Sequence, residues 1–222
     1  MTKKHDIIWL EEVDSTNNEA ARRISELDNL SVLSAKTQSD GRGQRQNKWL
    51  SEPGSNLTFS IILKRTGLMA KDQIAISAVT AISMVELLEK YRIPAEIKWP
   101  NDIYVGKRKI CGILIDHLVK GEKLSHSIIG IGLNINQCNF DVSIPNPTSI
   151  ALYLNSLNEN IDTDKENIDI QQCLDEYLDI FKKNLCLHIN ENRDFSSLRA
   201  KYMSMLRPSD NLTEEIIHAW QQ

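Results

Sequence analysis

No uninterrupted apolar run in this chain approaches the roughly 20 residues that a membrane-spanning helix needs. The opening stretch, Met1 to Asp6, leads into neither an apolar h-region nor a small-residue cleavage site, so no secretory signal is read and a cytoplasmic location is expected. The four cysteines, Cys111, Cys138, Cys173 and Cys186, form no Cys-x-x-Cys pair, and the five histidines lack the His-Glu-x-x-His spacing. Thiols in a reducing compartment are expected, and neither a disulfide framework nor a histidine–cysteine metal site. Positive charge is not in excess: a net charge of -4 argues against general nucleic-acid binding. Too few residues precede position 7 for a DNA-binding helix-turn-helix, so no DNA partner is expected. The triplets Asn56-Leu57-Thr58 and Asn211-Leu212-Thr213 match a glycosylation pattern that has no meaning without a secretory route. There is no Walker A motif, no internal repeat and no low-complexity tract.

What is present is ordinary for a soluble globular protein: 222 residues, 41% hydrophobic and 25% charged, enough for one sizeable α/β domain. Residues 7–13, 31–37 and 56–63 read as strands, the last alternating and β-branched. Residues 16–28 read as a helix opened by a Thr16–Glu19 capping box. Ile74, Ala78, Ile82, Val85 and Leu88 predict an amphipathic helix over 71–91. Strands at 96–99 and 102–105 flank Pro100, which predicts a cis-proline or kinked strand end. Gly106-Lys107 turns the chain back onto 109–116, and a second turn near Gly121 leads into 124–136. Further helices are expected at 149–154, 168–188 and 194–206, with polar loops around 155–167 and a weakly patterned tail from 207. About seven strands with flanking helices predict a mixed α/β sheet.

Against the acidic background, the run from Gly41 to Trp49 carries Arg42, Arg45 and Lys48 together with Gly41 and Gly43. Glycine permits positive φ and close approach to a ligand, arginine offers a planar fork for phosphate or carboxylate, and Trp49 offers a face for a base. A solvated basic loop accounts for these residues equally well when they are taken alone.

Four further motifs follow a fixed order with this loop: Ser15-Thr16-Asn17 before it, and Lys98-Trp99-Pro100-Asn101-Asp102, Lys109-Ile110-Cys111-Gly112-Ile113-Leu114 and Gly130-Ile131-Gly132-Leu133-Asn134 after it. The ordered set resembles the biotin protein ligases over about residues 7–155. The resemblance implies the class II synthetase-like catalytic fold of biotin and lipoate ligases. It implies biotin and ATP as substrates with Mg2+ as cofactor, and a biotin carboxyl carrier domain as partner. It leaves a homodimer open and implies no membrane partner.

For the site, the resemblance implies biotin contacts from Ser15, Thr16, Asn17, Gln38, Arg42, Gly43, Gln44, Lys109 and Gly112. Nucleotide contacts are implied for Arg42, Arg45, Trp49, Asn101, Lys109 and Asn134, with Asn136 alongside. Lys109, Asp102 and Arg42 are the implied catalytic set, with Asp102 as base or orienter and no protein metal ligand. Read without the resemblance, Ser15-Thr16-Asn17 is a helix cap, Trp99 a core residue, and Gly130-Ile131-Gly132 a strand making room for a ligand or a packed helix. Lys201-Tyr202-Met203-Ser204-Met205 sits in a helical pattern and is not read as a synthetase loop.

Two departures stand out. Gln44 replaces an arginine that the family links to holding the adenylate. Residues 207–222 are too few for the small C-terminal β-barrel usual in the family, so the domain reading is a catalytic domain over 1–206 and a short tail over 207–222. A lipoate or octanoate ligase and a non-catalytic biotin sensor stay open as alternatives.

Overall fold

The computed structural model describes residues 5–157, 167–189, 194–208 and 213–220. Seven strands form one sheet: β1 (Ile7–Val13), β2 (Val32–Gln38), β3 (Leu57–Lys64), β4 (Ala95–Lys98), β5 (Asp102–Val105), β6 (Arg108–Lys120) and β7 (Lys123–Leu133). Their spatial order is β1-β2-β3-β7-β6-β5-β4. Only β1 and β2 run parallel; every other neighbouring pair is antiparallel. The parallel pair needs a crossover, and α1 (Thr16–Arg22) supplies it.

Period-2 alternation sorts the central strands onto two faces. Leu57, Phe59, Ile61 and Leu63 of β3, Ile113 of β6, and Ile129, Ile131 and Leu133 of β7 point into the main core. That core is completed by α2 (Ile74–Lys90), α4 (Ile170–His188) and α5 (Ser196–Ser204). The alternate residues face the other way. Toward β1 and α1 they are apolar, and Ile62 and Ile128 join Ala20, Leu27 and Leu33 in a second, smaller cluster. Toward β5 they become small and polar: Thr58, Ser60, Gly112, Gly130 and Gly132. This change along one face leaves a hollow where the sheet is not packed by a helix.

Local structure departs from the sequence expectation in five places. α1 stops at Arg22 rather than continuing to residue 28. The reason lies on β3: the Lys64 ammonium donates to the Ile24 carbonyl at 2.7 Å and to that of Leu27, holding the following residues in a turn. The Thr16–Glu19 capping box is not made. Ser15 occupies the N-cap position without a side-chain cap bond, and Glu19 Oε2 accepts instead from Arg22 Nη2 at 2.7 Å. α2 is buried almost all round, because the sheet covers one side and α4 the other; its Thr80 and Ser83 hydroxyls donate back to the Ile76 and Val79 carbonyls. The weakly patterned tail contains α6 (Thr213–Ala219), with Ile216 buried and Trp220 set edge-on to Tyr202 at 6.2 Å. α3 (Ile150–Leu157) runs slightly past its expected end, and most of the polar stretch at 155–167 lies outside the described residues.

The core holds the expected residues. Cys173, Leu174, Tyr177, Leu178 and Phe181 of α4 are buried, with Tyr177 edge-on to Phe59 at a centroid distance of 5.5 Å. Each such side chain contributes about 1.5–3 kcal/mol of apolar burial. Burial also pushes the Cys173 thiol up to about 12 and that of Cys111 above the usual thiol range, so neither is a nucleophile at neutral pH. Among the described residues no helix is long and apolar enough to cross a membrane.

Candidate active site

The hollow is a cavity of about 480 Å³, and all of the site residues forecast above except Asn134 and Asn136 line it. Its floor is a patch of glycines brought together by strand pairing. Gly112 stands opposite Gly132 and Leu114 opposite Gly130 across β6–β7, while Ser60 stands opposite Gly130 across β3–β7. A Cβ on Gly132 would lie 2.3 Å from Trp49 Cε2, and one on Gly130 would lie 2.3 Å from Asn17 Oδ1. Alanine therefore cannot replace either glycine unless a ligand-facing side chain moves.

One wall is the start of α1. The Thr16 N–H donates to Gln38 Oε1 at 2.8 Å, which ties the helix start to the end of β2. Ser60 Oγ lies 2.8 Å from Thr16 Oγ1 and 2.6 Å from Asn17 Oδ1, so one hydroxyl links both side chains. Asn17 Nδ2 donates to Leu114 O at 3.2 Å and to Asp116 Oδ2 at 3.1 Å. Just outside, Asp14 is held well below the usual carboxylate range by its bonds from Arg22 and then Asn18.

The basic loop forms the lid. Its ends are clasped by the Trp49 N–H donating to Gly41 O at 2.8 Å and the Gly43 N–H donating to Asn47 O at 2.7 Å. Gly41 is required for close approach, since a Cβ there would meet Trp49 O at 2.3 Å. The positive φ expected from the loop's glycines falls on Arg45 instead, at φ 52, while Gly43 is extended at φ -122. A non-glycine residue in this region carries strain of about 1 kcal/mol or more. Arg42 Nη1 reaches across to Asp116 Oδ2 at 3.0 Å and Asn18 Oδ1 at 3.1 Å. The Trp49 indole lies on the glycine floor rather than open to a base, and its Nε1 is buried without a hydrogen-bond partner among the described residues.

The third wall is the β4–β5 corner with β6. The Trp99–Pro100 peptide is cis. The Tyr202 hydroxyl donates to Pro100 O at 3.2 Å, and its ring is edge-on to Trp99 at 6.3 Å, which anchors the corner to α5. Asn101 Nδ2 donates to Ile113 O, and the Ile113 N–H donates to Asn101 O at 3.1 Å, locking β5 onto β6. Lys109 Nζ lies 2.7 Å from Asp102 Oδ1 and 5.7 Å from the centroid of the Trp49 ring.

Arg42, Arg45, Lys48, Lys98 and Lys109 line the cavity against only two carboxylates, Asp102 and Glu215. Lys48 is paired outward with Asp40 at 2.8 Å. Arg45 and Lys98 make no ion pair among the described residues, and Lys98 Nζ instead donates to the Tyr104 hydroxyl at 3.4 Å. Among those residues no cluster of three histidine, cysteine or acidic side chains exists. With Asp102 already bonded to Lys109, this donor set does not make a magnesium site.

Asn134 and Asn136, forecast as nucleotide contacts, are turned to structural work. Asn134 is buried and donates from Nδ2 to Thr148 O at 2.9 Å; Asn136 donates to Ile168 O at 2.9 Å and so fixes the approach to α4. Leu114, Lys98 and Glu215 line the cavity without having been assigned a role from sequence; nor were Ser60, which bonds Thr16 and Asn17, and Asp116, which bonds two residues of the lining. For Ser60 and Asp116 the available signal was alternation: each is a polar residue on the opposite face from apolar neighbours in its strand.

Residues 9–134 match the model of the biotin/lipoate A/B protein ligase family. Over 142 residues the chain is 36% identical to the bifunctional ligase/repressor BirA of Escherichia coli, covering 63% of this chain and 44% of that protein. It is 32% identical over 130 residues to the biotin–[acetyl-CoA-carboxylase] ligase of Paracoccus denitrificans, covering 57% and 53% respectively. The chain thus spans about half the length of the curated relatives it matches. The structure of the Aquifex aeolicus biotin protein ligase in complex with biotin and ATP superposes with a TM-score of 0.74 at 29% identity, over 91% of this chain and 78% of that one.

Proposed function

The chain belongs to the biotin/lipoate A/B protein ligase family, and from that premise we propose that it joins biotin to a lysine of a biotin carboxyl carrier domain, through biotinyl-5′-adenylate made from biotin and ATP. The observation that carries this reading is convergence. Residues from Ser15 to Lys109, separated along the chain and singled out by motif alone, line one cavity with a glycine floor and a cationic rim.

Each part of the cavity suits one part of the two-step reaction. The cyclic urea of biotin needs both donors and acceptors, and Ser15, Thr16, Asn17 and Gln38 supply them. In the first step the biotin carboxylate attacks the α-phosphate of ATP and pyrophosphate leaves. Negative charge builds on the phosphoryl oxygens, where Lys109, Arg42 and Arg45 offset it. In the second step the ε-amine of the carrier lysine attacks the acyl carbonyl, an amide forms, and AMP leaves with the bonding pair of the broken C–O bond. Asp102 orients Lys109 across their ion pair and is the carboxylate that takes the amine proton in this reading. Holding two reactants at near-attack distance supplies much of the acceleration.

The test is pyrophosphate release from ATP with biotin, with lipoate, and with no acid. Release with biotin alone, abolished in Lys109→Ala, is the expected result. Release with lipoate instead would assign the chain to the other branch of its family. Silence with both acids, together with calorimetric binding of biotin, would make it a sensor.

A further inference from the structure

Asp116 sits two residues beyond Leu114 on the same face of β6, and the side chains of Asn17 and Arg42 converge on its carboxylate. Asn17 Nδ2 lies 3.1 Å from Oδ2; Arg42 Nη1 lies 3.0 Å from Oδ2, and Arg42 Nη2 lies 3.4 Å from Oδ1. A carboxylate only accepts hydrogen bonds, so Asn17 can meet Asp116 with its NH2 end and not with its oxygen. Leu114 O, at 3.2 Å from the same nitrogen, makes the same demand. The amide is thereby turned one way, with Oδ1 toward Ser60 Oγ at 2.6 Å and over Gly130. A carbonyl oxygen carries two lone pairs. Ser60 occupies one, and the other is available to a ligand N–H.

We propose that Asp116 is the positioning residue for recognition of the ligand's cyclic urea. It fixes the amide of Asn17 so that an acceptor faces the cavity, and it ties Arg42 of the lid to the sheet. The inference rests on the biotin reading above. Asp116 itself touches no reacting atom. Its effect passes through Asn17: without it the Leu114 carbonyl alone holds the NH2 end, and the less restrained amide can turn that end toward a ligand N–H, exchanging an attractive contact for a repulsive one.

Biotin affinity, measured by calorimetry on the whole chain, tests this with Asp116→Asn, Asn17→Ala, Arg42→Ala and the double variants. The expected result is that Asp116→Asn weakens biotin by about tenfold, the scale of one misdirected buried hydrogen bond. In the Asn17→Ala background the same substitution should cost less than about twofold, since the residue it acts through is gone. Asp116→Glu, which keeps the carboxylate, should recover part of the affinity. Asp116→Ser serves the same comparison if the asparagine variant does not fold. Absence of biotin binding by the unaltered chain would overturn the reading of the site and this inference with it. Binding by the unaltered chain that Asp116→Asn leaves within twofold would overturn the inference alone. So would a penalty that persists with Asn17→Ala but vanishes with Arg42→Ala, which would make Asp116 a tether of the lid only.

Discussion

Lys109 Nζ stands 2.7 Å from Asp102 Oδ1, bridging β6 and β5, so two charges expected to act separately form one ion pair. The pair gives each partner a use for the other. On the function proposed above, Asp102 holds the ammonium toward the phosphates and Lys109 keeps the carboxylate oriented for the carrier amine. Asp102→Asn is expected to slow amide formation from preformed adenylate about a hundredfold, in keeping with the loss of one preorganised charged group. Because the two act together, the Asp102→Asn/Lys109→Ala double variant should be little slower than the worse single. Single-turnover transfer to a carrier domain measures both. Additive losses would show that the groups work independently.

Gly132→Ala puts a methyl group where the Trp49 ring lies, at 2.3 Å from Cε2. Either the indole leaves the floor or the strand shifts, and overpacking of this kind costs about 1–3 kcal/mol. The expected outcome is a red-shifted tryptophan emission, a lower melting temperature and loss of biotin binding. Gly130→Ala presses on Asn17 instead, so it should abolish biotin binding while leaving the emission unchanged.

Gln44 sits on the rim of the cavity with Arg45 and Arg42 beside it in the lid. A neutral amide can hydrogen-bond a phosphate but adds no charge, and a charged donor makes a hydrogen bond about twice as strong. Gln44→Arg should therefore slow the escape of biotinyl-adenylate, by about tenfold at low salt and less at high salt. Release of radiolabelled adenylate from the isolated protein measures it, and equal escape rates for the two proteins would refute it.

His117, His126 and His188 are each shifted below the ordinary imidazole value of 6.5. Burial is the first cause in all three, joined by Lys64 at His126 and Lys201 at His188, and opposed by Asp116 at His117. The unfolded chain thus binds protons at a higher pH than the folded one. The resulting stability is fully present above pH 6.5 and is lost as pH falls through the lower folded-state values. Urea midpoints should drop between pH 7.5 and pH 5, and His117→Gln, which can keep the contact to Ser127, should lessen the drop. An unchanged pH dependence in that variant would remove His117 from the account.

Strand alternation made most of the sheet legible, because β3 and β5 to β7 turn apolar side chains to the main core at period two. The motif residues were legible as a set, and the cavity unites nearly all of them. What escaped is what depends on pairing. Ser60, Leu114 and Gly130 become neighbours only through the registers of β3, β6 and β7, and nothing near Ser60 in the chain announces this. The early end of α1 depends on Lys64, far along the chain. Asn134 and Asn136 were read as nucleotide contacts, and their amide nitrogens bond the carbonyls of Thr148 and Ile168, a use that an asparagine after a glycine-rich strand does not announce. α6 is too short to show a period, and it is held by Ile216 and Trp220.

The place of β3 in the sheet bears on how the protein is made. Leu57–Lys64 is buried along nearly its whole length, and its second partner is β7, with Leu57 paired to Leu133. A ribosome that has released β3 has many codons still to read before β7 exists. Throughout that interval the newborn chain carries an apolar strand with one edge bare, the kind of edge that recruits wrong partners. The glycine floor comes into being only when β7 slots between β3 and β6, so the cavity cannot form before that strand has been made.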